Sequence, residues 1–468
     1  MRLIWPVLVL PLGACNPPVE ESDACVALVG DVVLDNWGGD SRMSLEATGW
    51  FRTEKLCDRW WLVTPDGHPF YSAGVNSVRA AGDRNAVTGE YAYQQTVDAN
   101  YESVEAWAEV VGGRLREWGF NTIGAWSDTE RFLGQMPVTP ILGLAGDDWL
   151  TGSVADYFDP AWQAEVEAKV VAEVTPRVDD PWVVGWLIDN EIRWGPDWRG
   201  QNTYLQETLG LSADAPGKQV AVDLLLEELG GLDGVNAFLG TEHPTEESLL
   251  AATGGWGALD WDREEADPLT TRFLEEAAGA YFQTTTAAIR TVDPHHLVLG
   301  NREVSVLTRA EVYLAAAPHV DVITINNYVF QDLAREAAMN LSGSLDPADG
   351  FAAVHDLADL PILITEFGFR AADAGLPNSW PPIYPTYANQ EERADAFEDY
   401  ARTQHAVPWI VGYHWFEHAD QPVDGRFDGE DNNWGLVSEQ DEPYVVLTER
   451  MAEVNPAIWE ELRQRSGD

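Results

Sequence analysis

Residues 183–195, VVGWLIDNEIRWG, and residues 361–370, PILITEFGFR, share one design. In each, an apolar run suited to a buried strand (Val183 to Ile188, Pro361 to Thr365) ends abruptly at a glutamate, Glu191 or Glu366. Continuous apolar strands, without polar alternation, belong to parallel sheets covered on both faces. A carboxylate where such a strand meets its loop is what a closed parallel barrel offers at its catalytic rim.

Working outward, the same kind of run recurs along the chain. FYSAGVNSV (Phe70 to Val78), FNTIGAWSD (Phe120 to Asp128) and PVTPILGLA (Pro137 to Ala145) precede the first quoted stretch. HLVLGNR (His296 to Arg302) and VDVITINNY (Val320 to Tyr328) lie between the two, and WIVGYHWFE (Trp409 to Glu417) follows the second. Helix-like segments fall between them, at Tyr101 to Trp118, Ala161 to Val174 and Thr271 to Val292. Strands alternating with helices in this number predict an α/β fold, a (β/α)8 TIM barrel. No Gly-x-Gly-x-x-Gly follows the first strand, which argues against an open dinucleotide-binding sheet.

Two further pieces are expected around the barrel. Residues 26–61 read as a small N-terminal strand layer, and Pro65-Asp66-Gly67 within WWLVTPDGHPF marks a tight hairpin turn. Residues 194–269, between the fourth and fifth strands, form a long acidic, Gly-rich insertion, a cleft wall or a surface excursion. The barrel is expected over residues 62–460, with no second independent domain required.

Nearly every run ends in polar or aromatic groups: Asn76, Trp126 and Asp128, Asn190 and Glu191, Arg302, Asn327 and Tyr328, Glu366, then His414, Trp415 and Glu417. Packing does not ask for polar groups at the ends of buried strands; a shared pocket does. Two glutamates facing each other across it are the equipment for splitting a glycosidic bond.

Composition narrows the substrate. The 468 residues carry 28 Lys+Arg against 78 Asp+Glu, a formal charge of −50. Such a surface repels nucleic acid, anionic lipid and polyanionic polymers, and leaves a neutral polymer as the easier partner. There are 21 tryptophans, several in loop-like contexts, and flat apolar rings beside polar groups suit sugar faces. No Cys-x-x-Cys or His-Glu-x-x-His spacing occurs, so neither a metal nor another cofactor is expected.

The N-terminus reads as a targeting segment. Arg2, the apolar stretch Leu3 to Leu12 and Leu12-Gly13-Ala14-Cys15 give residues 1–15 the form of a signal peptide, too short to span a bilayer. The ending resembles the lipobox of bacterial lipoproteins, with Cys15 as the lipid-modified residue; an ordinary signal peptide is the alternative. The expectation is an exported bacterial lipoprotein, periplasmic or at the cell surface, touching membrane only through this anchor. Residues 16–25 would be a tether, and Cys25 and Cys57 a disulfide in an oxidising compartment. Oligomeric state is not legible.

The hairpin WWLVTPDGHPFYSAGVNSV, with GFNTIGAWSD, GWLIDNEIRWG, ILITEFGFR and VGYHWFEHADQPVDGRFDGEDNNWGLV, resembles glycoside hydrolase family 50 and its clan A relatives, the β-agarases. The resemblance runs from about Trp60 to Tyr444. It implies that Glu191 is the acid/base, preceded by Asn190, and Glu366 the nucleophile, with retention of anomeric configuration. It also implies a neutral galactan, agarose or its oligosaccharides, as substrate. One departure is Gly368, where many family 50 members carry His after Glu-Phe. On this reading Asn190 meets the sugar's 2-hydroxyl and Tyr328 orients Glu366 and helps keep it charged. Trp415, with Trp126 and Trp434, forms the sugar platform, and His414, Arg302, Asn76 and Asp128 bind hydroxyls. Two alternatives stay open: a retaining hydrolase of another neutral β-glycan (a β-glucan or β-galactoside), and a glycan-binding lipoprotein without catalysis.

Overall fold

The structure is a computed structural model and describes residues 31–56, 58–254, 266–305, 307–328 and 350–465. The expected signal peptide, lipid-bearing Cys15, tether and Cys25–Cys57 disulfide lie outside the described residues, as does part of the insertion.

Twelve strands are described. β1 (Arg52–Leu56), β2 (Arg59–Val63) and β3 (Pro69–Phe70) form an antiparallel sheet. The Pro-Asp-Gly turn makes the β2–β3 hairpin, pairing Leu62 with Phe70, and Gly67 takes the positive φ of +90° that the turn requires. The barrel strands are β4 (Ser72–Val75), β5 (Thr122–Ile123), β6 (Gly185–Asn190), β7 (Leu297–Val304), β8 (Ile323–Asn326), β9 (Ile362–Phe367) and β12 (Ile410–Trp415). β10 (Arg370–Ala371) and β11 (Thr386–Tyr387) pair separately at the rim.

The barrel strands run parallel in the order β5-β4-β12-β9-β8-β7-β6. Seven of the eight expected runs thus form strands of this sheet. The third, Pro137 to Ala145, occupies the gap between β5 and β6 through single bridges. Ile123 N–H donates to the Pro137 carbonyl at 2.8 Å, and Val138 N–H to the Trp182 carbonyl at 2.8 Å. Leu187 N–H donates to the Pro140 carbonyl at 2.9 Å. Pro137 and Pro140 have no N–H to give, so a regular ladder cannot form although the segment sits in a strand's place.

Alternate strand residues point to opposite faces, and two apolar clusters result. The smaller gathers Val184, Leu187, Leu299, Val322, Leu363 and Val411 from around the barrel, so it lies on the inside. Phe51, Leu62 and Phe70 of the N-terminal sheet join it, and Arg59 of β2 donates to the carbonyls of His405 and Ile410. The small sheet therefore plugs the end where the strands begin. The larger cluster lies between strands and helices. The helix Asp267–Val292 contributes Phe273, Leu274, Ala277, Ala278, Tyr281 and Phe282, a three-and-four spacing that keeps one stripe on the sheet. Helices Val104–Glu117 and Pro160–Val174 start where Ser103 and Asp159 cap the backbone N–H groups of Ala106 and Ala161. The described part of the insertion holds short helices at Tyr204–Leu209, Pro216–Glu228, Leu232–Leu239 and Glu246–Ala251.

Candidate active site

With one end plugged, the site forms where the strands finish. Backbone conformation marks that rim. Ser77, Trp126 and Glu191, just past β4, β5 and β6, have φ of +55°, +56° and +52°. Left-handed backbone is costly for residues with a Cβ and persists where neighbours impose it, most often at functional sites. At Glu191 the neighbours are identifiable: its N–H donates to the Arg302 carbonyl at 3.0 Å, and its carbonyl accepts from Arg199 at 2.9 Å.

The two glutamates are brought together by one amide. Asn326, the last residue of β8, places its Nδ2 at 3.0 Å from Glu191 Oε1 and 3.5 Å from Glu366 Oε2. The two carboxylate oxygens are therefore no farther apart than those lengths laid end to end. The same nitrogen donates to Asn190 Oδ1 at 3.0 Å, and Arg302 Nη1 reaches that oxygen at 3.1 Å. Two donors on one side fix the amide of Asn190, whose NH2 end is left for the cleft.

Glu366 is only 7% exposed. Arg302 Nη2 donates to its Oε2 at 2.7 Å, and Tyr328 Oη to its Oε1 at 2.5 Å. Burial is the larger influence and pushes Glu366 up to about 7, against the pull of the Arg302 guanidinium and the Tyr328 hydroxyl; the nearby Glu191 adds to the rise. The Tyr328 hydroxyl favours the charged form of Glu366, but desolvation outweighs that help. Burial and the negative charge of Glu366 hold the Tyr328 phenol well above its ordinary value, so it stays a donor. Arg302 is fully buried, its guanidinium 4.1 Å from the Trp126 ring centroid.

Of the residues expected to bind sugar, Asn190, Arg302, Tyr328 and Trp126 surround the glutamates. Others are corrected by the structure. Asn76 is fully buried, its amide spent on the Thr365 carbonyl and the Ala125 N–H, so it braces strands. His414 points into the barrel, against Ser72 Oγ at 2.9 Å, and burial drives its pKa down to about 3, which leaves it neutral. Trp415, next along β12, faces the opposite way: its ring packs on Phe367, Phe369 and Phe397, with no exposed area. Strand alternation thus removes both from the cleft. Trp434 is also buried, 5.5 Å from Tyr328 and 5.9 Å from Tyr384 between ring centroids, so it supports the wall from behind. Asp128 accepts from Ala80 N–H at 2.9 Å and lines a polar hollow that includes neither glutamate.

Several site residues carried no readable signal. Asn326 sits one residue before the polar pair noted at the end of its run. Trp149, which donates from Nε1 to Glu191 Oε2 at 3.1 Å, lies in an irregular loop after the third run. Tyr384 stacks on Tyr328 with centroids 4.8 Å apart; it lies in the segment after β9 whose Trp-Pro-Pro run suggests a stiff loop. Glu430, whose Oε2 accepts from Gln421 at 2.7 Å and Arg426 at 2.9 Å, adds charge beside both glutamates. The Gly368 departure has a physical basis. A Cβ there would stand 2.5 Å from the Phe416 carbonyl oxygen and 3.1 Å from the Trp434 ring, so a histidine does not fit.

A parallel barrel with glutamates on two strand ends, joined by one amide and with an arginine and a tyrosine on the more buried of them, has the site architecture of the two-carboxylate barrel glycosidases. No protein-family model matches the chain. It is 27% identical to Beta-agarase B of Vibrio sp. (strain JT0107), over 92% of this chain and 50% of that protein. It is likewise 27% identical to Beta-agarase A of the same strain, over 94% of this chain and 49% of that one. The chain thus spans about half the length of these relatives. Among solved structures, PfGH50B superposes with a TM-score of 0.77 at 25% identity, covering 92% of this chain and 69% of that one. The agarase AgWH50C gives 0.76 at 26% identity, covering 97% and 72%. The chain is a relative of glycoside hydrolase family 50.

Proposed function

We propose that the protein is a retaining glycoside hydrolase that cleaves a β-linked neutral galactan, agarose or its oligosaccharides. The observation that carries this reading is the shared amide of Asn326, which keeps Glu191 and Glu366 close. A nucleophilic carboxylate must touch the anomeric carbon with no water between, which asks for carboxyls roughly 5–5.5 Å apart, against about 6.5–9.5 Å for inversion. The bound on the two oxygens favours the shorter class.

Glu366, ionised, attacks the anomeric carbon while Glu191, protonated, gives its proton to the departing oxygen; water then enters with Glu191 as base. Arg302 and Tyr328 hold the nucleophile's two oxygens and fix its direction of attack. The NH2 end of Asn190 meets the 2-hydroxyl. Trp126, half-buried with Arg302 behind it, offers a flat wall to the sugar. The choice of galactan rests on the β-agarase relatives and on the charge of −50, which disfavours polyanions. The leader sequence supports export and tethering through Cys15.

The test incubates wild type beside Glu366→Ala with neutral β-linked oligosaccharides, agaro-oligosaccharides included, and follows products by mass spectrometry and anomeric proton NMR. Cleavage by wild type alone, with β product formed first, is expected. First-formed α product overturns retention. Cutting of β-glucans only overturns the galactan assignment. Equal glycan binding by both proteins without cleavage overturns the hydrolase reading.

A further inference from the structure

We propose that Trp149, Trp198 and Phe427 form the leaving-group subsite of this cleft, the surface that receives the sugar on the far side of the broken bond from Glu366. The inference rests on the hydrolase reading above and assigns a direction to the cleft.

Direction comes from Glu191. A proton donor touches the oxygen that departs, so whatever lines the donor's outer side meets the leaving sugar. The indole N–H of Trp149 is on Glu191 Oε2 at 3.1 Å, which puts the Trp149 ring on that side. Two more rings adjoin it: Trp198 at 6.2 Å and Phe427 at 6.3 Å between centroids. The three come from separate rim loops, after the third strand-like segment, after β6 and after β12. The Glu366 side is walled differently, by Tyr328, Tyr384 and Trp126.

The outer two rings are open to solvent, Trp198 at 51% and Phe427 at 64%. Large apolar rings gathered and exposed beside a polar site mark a contact surface. Arg199 makes this one rigid. Its guanidinium lies 4.4 Å from the Trp198 ring centroid, pairs with Asp197 at 2.6 Å, and donates to the carbonyls of Glu191 at 2.9 Å and Trp149 at 3.3 Å. One face of Trp198 is thereby covered and the other left open, at a fixed offset from the proton donor. A pyranose ring presents an apolar C–H face to such a surface, and a neutral sugar does so without a charge to desolvate.

The test compares two substrates of one glycone: the neutral oligosaccharide that wild type cleaves best, and the corresponding glycosyl fluoride, whose leaving atom reaches no rim ring. Trp198→Ala and Phe427→Ala, on separate loops and both solvent-exposed, are each expected to lower the ratio of kcat/KM for oligosaccharide over fluoride by roughly tenfold, chiefly through KM. Trp149→Phe, which keeps a ring and loses the N–H, should lower that ratio less than Trp198→Ala. If wild type cleaves both substrates and the ratio is unmoved in both alanine variants, the subsite assignment falls and the hydrolase reading stands. If wild type cleaves neither, the hydrolase reading falls and takes the subsite with it.

Discussion

Replacing Arg302 by methionine isolates what holds Glu366, the proposed nucleophile, ready. In the folded protein Glu366 is nearly sealed from water, with Arg302 as the cation on its Oε2 at 2.7 Å. Even so, burial leaves the carboxyl at about 7. A hydrogen bond to a charged group contributes about 1.5–3 kcal/mol, and each pKa unit is about 1.4 kcal/mol. Removing the guanidinium while keeping the volume filled should therefore raise Glu366 by roughly one to two units. The sign is fixed: losing a nearby positive charge disfavours the carboxylate, so the acidic limb of the pH–rate profile moves to higher pH. At pH 7, where a carboxyl at about 7 is half ionised, the ionised fraction, and with it kcat/KM, should fall by roughly five- to fiftyfold. The assay is kcat/KM against pH on an agaro-oligosaccharide, because that ratio reports the free enzyme, the state the structure describes. Circular dichroism and a thermal melt establish that the variant is folded. An acidic limb that superposes on the wild-type curve in a folded variant would refute the assignment of Arg302 as the counter-charge of Glu366.

Two further outcomes concern stability. Asp293 is buried, which pushes its carboxyl up, but the ring and main-chain N–H of His296 and the Trp186 indole hold it at about 2. Its contribution is present above the unfolded value of about 3.9 and is lost as pH falls from there through about 2, and Asp293→Ala should cost about 2–4 kcal/mol in denaturant unfolding at neutral pH; a loss below about 0.5 kcal/mol would contradict this. Glu303 is a residue of β7, with Trp194, Asn301 and Thr308 on its oxygens, and burial pushes it up to about 8. The folded state keeps a proton that the unfolded chain releases near about 4.3, so stability from this group falls as pH rises between those values. Glu303→Gln should gain in melting temperature relative to wild type more at about pH 8 than at about pH 5, and an equal difference at both would sink the reasoning.

The barrel was legible because its strands are apolar without alternation and each ends in polar residues, a pattern that parallel burial imposes. The third strand is the instructive exception: VTPIL reads as a strand by composition, yet its prolines leave only single bridges. The two glutamates proposed as the catalytic pair were legible for the same reason as the strands, since Glu191 and Glu366 stand where hydrophobicity stops. The binding residues were less so, because a strand's end does not reveal which residues face inward. His414 and Trp415 are adjacent in β12 and look equally suited to a site, but one points into the barrel and the other into the helix layer. Bulges in the β9–β12 and β8–β9 pairings shift the phase of the alternation near the rim. Trp149 and Phe427 come from loops, where neither period nor pattern marks them, whereas Trp198 is one of the loop-context tryptophans that suit sugar faces.

The distribution of charge in the cleft ties these parts to the choice of substrate. Glu191, Glu366 and Glu430 face one another's fields, and Arg302, the cation among them, is fully buried behind Glu366. Arg426, the nearest other guanidinium to Glu430, is already paired with Asp428 and Glu430 and stands near Glu417 and Asp83. A like charge brought to about 5 Å from one of these carboxylates, at an effective dielectric of about 20, meets roughly 3 kcal/mol of repulsion. A sulfate or uronate on the reacting sugar would encounter that cost with no free cation described nearby to offset it. Neutral hydroxyls meet the opposite situation: carboxylates are acceptors only, and every hydroxyl is a donor. On the proposed function, the charge that burial must tolerate for catalysis would also select the sugar. Aromatic rings at the rim can then add contact area without adding a charge that would disturb Glu366.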